Sequence, residues 1–355
     1  MPDSSLRDHQ AAVAGTRDVG GAMPDRPRAV RIVGTSAVKG ARRVTAQELD
    51  AAYGRVDGTT LARSGVSERW WVDETQTSSG LAADAVTAAL AGAGWELTDL
   101  DALLVTAAVP EQPIPTTAIL TLGHLGYAGG PLEAYDVNAT CLSFLHGMDI
   151  ATTKIAGGGW RRVAIVAVDL ASKGLNHEDI ESSALFGDGA AAVLLEAERS
   201  GQSAVLATRF ETYPGGARLC EIPAGGTRSN VFRPPDDPAD YAFRMDGMGV
   251  VRLAARHLPR FIDALLGDAG LTRGDLDVVV PHQTSGLGMR FLKSKLGFDP
   301  AAVVDIIDDH GNQVAASLPS ALHAAITSGR LTRGGSALLI GTGAGLVIGG
   351  IVVRY

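Results

Sequence analysis

The chain has little cysteine: two thiols, Cys141 and Cys220, in 355 residues. So few in so long a chain exclude a disulfide framework, and one reactive thiol beside one incidental thiol fits a reducing cytoplasm. Charge is sparse at 20%, with a net value of −8 and a pI near 5.5. That balance excludes a nucleic-acid binder working through a basic surface. No apolar run reaches the roughly 18 residues of a membrane span. Residues 1–28 mix Asp3, Arg7, Asp8, Arg17 and Asp18 with no apolar stretch, which excludes a secretory signal. They read as a loose tail, with Met23 as a second candidate start. Walker sequences, short-period repeats and low-complexity tracts are missing too.

What is there suits a large buried core: 46% of residues are apolar, and 44 glycines mark many tight turns. Strand-like runs lie at 29–33, 102–108, 134–137, 163–168 and 190–195, then at 278–280, 303–306, 337–340 and 346–353. Helix-like stretches lie at 79–93, 141–156, 247–266, 287–296 and 314–328. In the third of these, Val250, Leu253, Ala254, Leu258, Phe261 and Leu265 recur at helical spacing. Pro259 is expected to kink or break that helix. Alternating strands and helices predict an α/β fold with parallel, buried sheets covered by helices. The second half repeats the order of the first, so two α/β halves are expected, 29–200 and 201–355. The Pro-rich stretch Gly225–Tyr241 reads as a surface excursion.

Three residues stand just past strand-like runs: Cys141, His282 and Asn312. An α/β fold gathers such residues at the carboxyl ends of its strands. A thiol, an imidazole and a carboxamide suit covalent chemistry on acyl groups. Cys141 opens a helix-like stretch, so the helix dipole is expected to favour its thiolate. Its backbone N–H is placed to meet a carbonyl oxygen. Cys220 has no partner motif and reads as inert. His282 follows Val278-Val279-Val280-Pro281, and a satisfied core histidine is as good a reading for it taken alone. Asn312 follows Gly311, and taken alone it reads equally as a turn residue. Asp305, Asp308, Asp309 and His310 lack ligand spacing, so no metal is expected. Gly341-Thr342-Gly343-Ala344-Gly345 precedes a strand rather than a helix, which excludes a dinucleotide fingerprint. Its packed N–H groups suit an oxyanion instead. A papain-like hydrolase shares the order Cys, His, Asn, but its cysteine segment is missing.

Taken together, several segments resemble the ketoacyl synthase III branch of the thiolase-like condensing enzymes, over residues 29–355. They are Asp136-Val137-x-x-x-Cys141, Phe186-Gly187-Asp188-Gly189-Ala190, His282-Gln283, His310-Gly311-Asn312 with Ala315-Ala316-Ser317, and Gly343-x-Gly345. Arg63-Ser64-Gly65-Val66-x-x-Arg69 resembles the family's early T-G-I-x-x-R segment. The resemblance implies a thiolase-like five-layer αβαβα fold of two pseudo-equivalent halves, a homodimer and no cofactor. It implies that Cys141 takes an acyl group from a CoA or acyl-carrier-protein thioester. His282 and Asn312 would then stabilise the enolate of a decarboxylating malonyl thioester. The N–H groups of Cys141 and Ala344 would hold the acyl oxyanion. Substrate contacts are expected from Ile114, Phe186, Arg63, Gly343, Gly345 and Ser285.

Departures from the family pattern bear on the substrate. Thr59 and Ile180 stand where acetyl-primed synthases clamp the CoA adenine with tryptophan and arginine. Leu287 stands where an arginine helps dock carrier protein, with Arg290 and Lys293 as substitutes. The segment after Cys141 is closer to the long-chain head-to-head condensing relatives. Their glutamate is replaced by Ile114, expected as a pocket wall contributed across the dimer, and Glu111 lies out of register. Three alternatives stay open: acyl transfer to an alcohol or amine, condensation of two acyl thioesters without decarboxylation, and a non-catalytic partner subunit.

Overall fold

A computed structural model describes residues 27–355. Most of the expected tail, Met23 included, lies outside the described residues. Arg28 does not belong to a loose tail. Its backbone pairs with Val205, and its guanidinium donates to Asp149 at 2.7 Å, Thr152 at 2.9 Å and Thr208 at 2.8 Å. A buried arginine held by that many acceptors pins the chain where it enters the fold.

The first sheet holds β1 (Val30–Lys39), β2 (Ala102–Thr106), β3 (Glu133–Val137), β4 (Arg162–Leu170) and β5 (Asp188–Ala197), in the order β1-β5-β4-β2-β3. β5 runs antiparallel to β1 and β4, while β2 runs parallel to β4 and β3. The second sheet holds β6 (Ala204–Gly216), β7 (Val278–Pro281), β8 (Ser336–Gly343) and β9 (Gly345–Arg354), in the order β7-β8-β9-β6. β9 runs antiparallel to β6 and β8, and β8 parallel to β7. Read from β6, the second sheet repeats the first strand for strand. The fifth place is reduced to one parallel bridge between Val279 and Val303. The strand expected over 303–306 is therefore absent. The Ala302 and Val303 N–H groups turn back onto Asp299 and Pro300.

The helices are α1 (Ser78–Ala93), α2 (Thr117–His124), α3 (Ser143–Ala156), α4 (Gly247–Asp268), α5 (Gly286–Lys295) and α6 (Ser317–Thr327). Side chains on a strand alternate between faces, and each face has its own cover. Leu104 of β2 and Leu339 of β8 point into the core that holds α3 and α6. Leu103 and Val105 point outward under α1. Leu338 and Ile340 point outward under α4 and α5. The result is helix, sheet, paired helices, sheet, helix: the five-layer thiolase-like αβαβα fold. Both faces of each sheet are covered, so the central strands are nearly continuous runs of valine, leucine, isoleucine and alanine.

Two elements differ from expectation. α4 runs unbroken through Pro259, which sits on its exposed face. An exposed proline leaves the carbonyl one turn earlier without its helical donor but does not bury the ring against the core. β6 has 13 residues, of which only Ala204-Val205-Leu206-Ala207 form an apolar run. It is an edge strand, and Thr208, Arg209, Glu211 and Thr212 interrupt its hydrophobic pattern.

Candidate active site

Cys141 stands on a tight turn between β3 and α3. Thr140, just before it, has φ of 53°, a left-handed conformation that a β-branched residue adopts only when its surroundings force it. The Ser143 hydroxyl fastens this turn. It donates to the Ala107 carbonyl at 3.1 Å and accepts from the Ala139 N–H at 2.9 Å. The helix starts at Ser143, two residues past the thiol.

His282 follows the last residue of β7, and its N–H donates to the Ile340 carbonyl at 2.8 Å. The imidazole is buried and its Nδ1 has no partner. Gln283 anchors the turn behind it. Its amide donates to Pro281 and Val304 and its oxygen accepts from the Ile306 N–H. Asn312 is oriented at both ends. Oδ1 accepts from the Val314 N–H at 2.8 Å, and Nδ2 donates to the Thr284 carbonyl at 3.1 Å. One Nδ2–H is left over. Val314, like Thr140, is left-handed, with φ of 52°.

The glycines at the end of β8 let these segments meet. A Cβ on Gly341 would lie 2.8 Å from Leu142 Cδ2 and 2.9 Å from His282 Cβ. A Cβ on Gly343 would lie 2.9 Å from Thr140 Oγ1. Only glycine fits at either place without moving the nucleophile's turn.

One cavity of about 820 Å³ takes in Cys141, His282 and Asn312. Phe186, Ser285, Gly343, Ala344 and Gly345 also line it. The backbone N–H groups of Ala344 and of Cys141 itself act on the Cys141 sulfur in the direction that favours its anion. Arg63 lines no part of this cavity. It is exposed on the short helix Thr59–Ser64, and only its neighbour Gly65 packs toward the site, against Gly286. Ile114 is 85% exposed and also lies outside the cavity of its own chain.

The ionisation of the thiol differs from the sequence expectation. Burial pushes Cys141 up to about 12, and the Asp169 carboxylate adds to the rise. The Ala344 and Cys141 N–H groups pull the other way without offsetting it. At neutral pH the resting group is a thiol, because desolvation of an anion outweighs the pull of the backbone N–H groups and a nearby helix end. Burial alone pushes His282 down to about 4, so the imidazole is neutral. A buried N–H without an acceptor is costly. The unpartnered Nδ1 therefore favours the tautomer with its proton on Nε2.

Residues 135–214 match the family described as 3-oxoacyl-[acyl-carrier-protein (ACP)] synthase III, and residues 266–355 match its C-terminal part. The β-ketoacyl-[acyl-carrier-protein] synthase III of Rhizorhabdus wittichii is 33% identical over 91% of this chain and 98% of its own. The chain belongs to the β-ketoacyl synthase III family. The synthase III of Pseudomonas aeruginosa PAO1 superposes with a TM-score of 0.82 at 30% identity, over 92% of this chain and 98% of that one. The acetoacetyl CoA synthase NphT7 of a Streptomyces species is 32% identical over 92% of this chain and 98% of its own. OleA of Xanthomonas campestris shares the fold, with a TM-score of 0.81 at 22% identity over 95% of this chain and 100% of that one. This synthase III relative is thus a condensing acyltransferase of thiolase-like fold.

Three features of the synthase III site escape sequence reading. Asp169, at the end of β4, is buried beside the cavity. Its carboxylate accepts from the Ala108 and Val109 N–H groups of the first half and from Ala315 of the second. Burial pushes it up to about 7 against those three donors. Glu111 lines the cavity despite its shifted register, and its carboxylate accepts from the Ser79 N–H at 2.6 Å, at the start of α1. Cys220 lines the same cavity and is not merely incidental in position, though burial holds its thiol up at about 12. No local motif marks Asp169 or Glu111, because each is held by backbone N–H groups of distant segments. Among the described residues no three His, Cys, Asp or Glu side chains gather as metal ligands. No described helix is long and apolar enough to cross a membrane.

Proposed function

We propose that this synthase III joins an acyl group, held on Cys141, to a malonyl-type thioester. In the first half-reaction the Cys141 sulfur attacks the carbonyl of an acyl-CoA or acyl-carrier-protein thioester. The oxyanion is held by the N–H groups of Cys141 and Ala344, and the donor leaves as a thiol carrying the Cys141 proton. Donors preset toward developing charge are among the largest catalytic terms. In the second half-reaction the malonyl carboxylate leaves as carbon dioxide. The neutral His282 Nε2–H and the free Asn312 Nδ2–H hold the enolate oxygen. The enolate carbon attacks the acyl carbonyl, and the Cys141 thiolate leaves and takes up one proton.

The observation that carries this reading is one cavity lined together by Cys141, His282, Asn312 and the Gly343-Ala344-Gly345 backbone. Two neutral donors fit an enolate better than a charged base would. The homodimer belongs to the same reading. Val109, Ile114 and Ile119 are exposed around the start of α2, an apolar patch suited to a second copy, with Ile114 as a wall of the partner's pocket.

The test combines intact-mass spectrometry with carbon dioxide release. Acyl-CoA alone is expected to leave one acyl adduct on Cys141, absent in Cys141→Ala. Adding malonyl-CoA or malonyl carrier protein is expected to discharge the adduct, with one carbon dioxide per ketoacyl product. Discharge by an alcohol, an amine or a second acyl thioester without carbon dioxide would replace condensation with malonate by another acyl transfer.

A further inference from the structure

Resting on that reading, the geometry points to the class of acyl group: a saturated aliphatic chain well beyond acetyl, housed in a hollow between α4 and α5. The cavity around Cys141 does not stop at the reacting atoms. It continues along Val251, Ala254 and Leu258 of α4 and along Met289, Leu292 and Leu296 of α5. Ala254, Leu258, Met289 and Leu296 are buried members of the second hydrophobic core. This arm is therefore a hollow inside a core, not a groove on the surface.

Protein interiors are packed nearly as densely as crystals, and an empty apolar hollow is destabilising in proportion to its size. A hollow of this kind next to a nucleophile is filled in use. Its chemistry selects the occupant. The charged side chains of the cavity are Glu111, Asp169, Lys173 and Glu221, and none comes from α4 or α5. A carboxylate or hydroxyl group entering the arm would lose its water with no partner in return. A hydrocarbon chain loses only apolar hydration, which is favourable. The full cavity of about 820 Å³ is in the range that holds whole drug-sized ligands, far above an acetyl group.

Ala254 lines the arm from α4 with a single methyl group between Val251 and Leu258, so a larger side chain there would take up room in the arm. Met289 faces it from α5 with a flexible thioether that yields to a long chain.

The experiment measures the rate of Cys141 adduct formation by intact mass, with acetyl-CoA, hexanoyl-CoA, decanoyl-CoA and myristoyl-CoA as probes. Decanoyl-CoA is expected to react at least about tenfold faster than acetyl-CoA, since each buried methylene adds to binding. Ala254→Phe is expected to lower the decanoyl-to-acetyl ratio by tenfold or more. Met289→Ala is expected to raise the myristoyl-to-hexanoyl ratio, and it serves where Ala254→Phe fails to fold. A wild-type protein that takes acetyl as fast as decanoyl overturns the assignment, as do ratios that neither variant moves. A protein that takes no adduct from any of the four thioesters refutes the acyl-Cys141 reading itself.

Discussion

At the residue scale, the nucleophile is held in reserve. Cys141 is raised by burial and by Asp169, and His282 is kept neutral by burial, so no thiolate–imidazolium pair stands in the resting site. The sign of the pH effect follows. Below about 12 the thiolate fraction rises with pH, and only the thiolate reacts with alkylating agents. Iodoacetamide labelling of Cys141, followed in a Cys220→Ser background, is expected to climb about tenfold per pH unit from pH 7 to 9 without a plateau. A plateau near neutrality would mean a preformed thiolate. Asp169 is ionised at pH 8.5, above its value of about 7. Removing that charge in Asp169→Asn is expected to speed labelling there several-fold, read by the same mass measurement. Cys141 and His282 were legible because each stands just past a strand, whereas Asn312 follows a short helix and was legible through its Gly311-Asn312 turn. Asp169 was not, because its importance comes from three N–H groups on segments up to 146 positions away.

At the element scale, sequence pattern and structure part where a chain segment has an exposed side. The central strands carry uninterrupted apolar runs and were readable. β6 borders solvent, so Thr208, Arg209 and Glu211 hide it from a hydrophobic search. Pro259 carries the opposite lesson. It looked like a break, yet α4 spans it, with the proline on the exposed face. Proline remains the least favourable residue inside a helix, and part of its penalty is returned by a stiffer unfolded chain. Pro259→Ala is therefore expected to stabilise the protein by about 2 kcal/mol, seen as a higher urea midpoint with an unchanged slope. A lower midpoint would show that the proline's shape, not its missing N–H, matters to α4.

At the scale of the whole molecule, the site exists only where the two halves meet. Cys141 comes from the first half and His282 and Asn312 from the second. The join is made by backbone: Asn312 bridges Phe186, the Gly187 N–H donates to the Asn312 carbonyl at 3.1 Å, and Asp169 spans to Ala315. Arg69 lies buried at the same seam, its Cβ 3.3 Å from where a Cβ on Gly187 or Gly311 would stand. The apolar patch of Val109, Ile114 and Ile119 extends this logic to a second copy. Sedimentation equilibrium at micromolar concentration is expected to give twice the chain mass of 36.7 kDa. Ile114→Asp is expected to shift the population toward the single chain, since a carboxylate in an apolar interface is left without a partner. A wild-type mass of one chain would remove the dimer from this account.

The amino-acid sequence by itself determined the alternation of strands and helices, the duplication of one α/β plan, and the three polar residues in turns after regular elements. It could do so because continuous apolar runs, helical spacing and turn glycines are local properties, written within a few residues of where they act. Tertiary structure alone decided that the thiol rests protonated, that Arg63 turns away from the cavity while Glu111 and Cys220 line it, and that a hollow runs between α4 and α5. Those outcomes depend on desolvation and on distant backbone donors, and both are set by which remote segments the fold brings together.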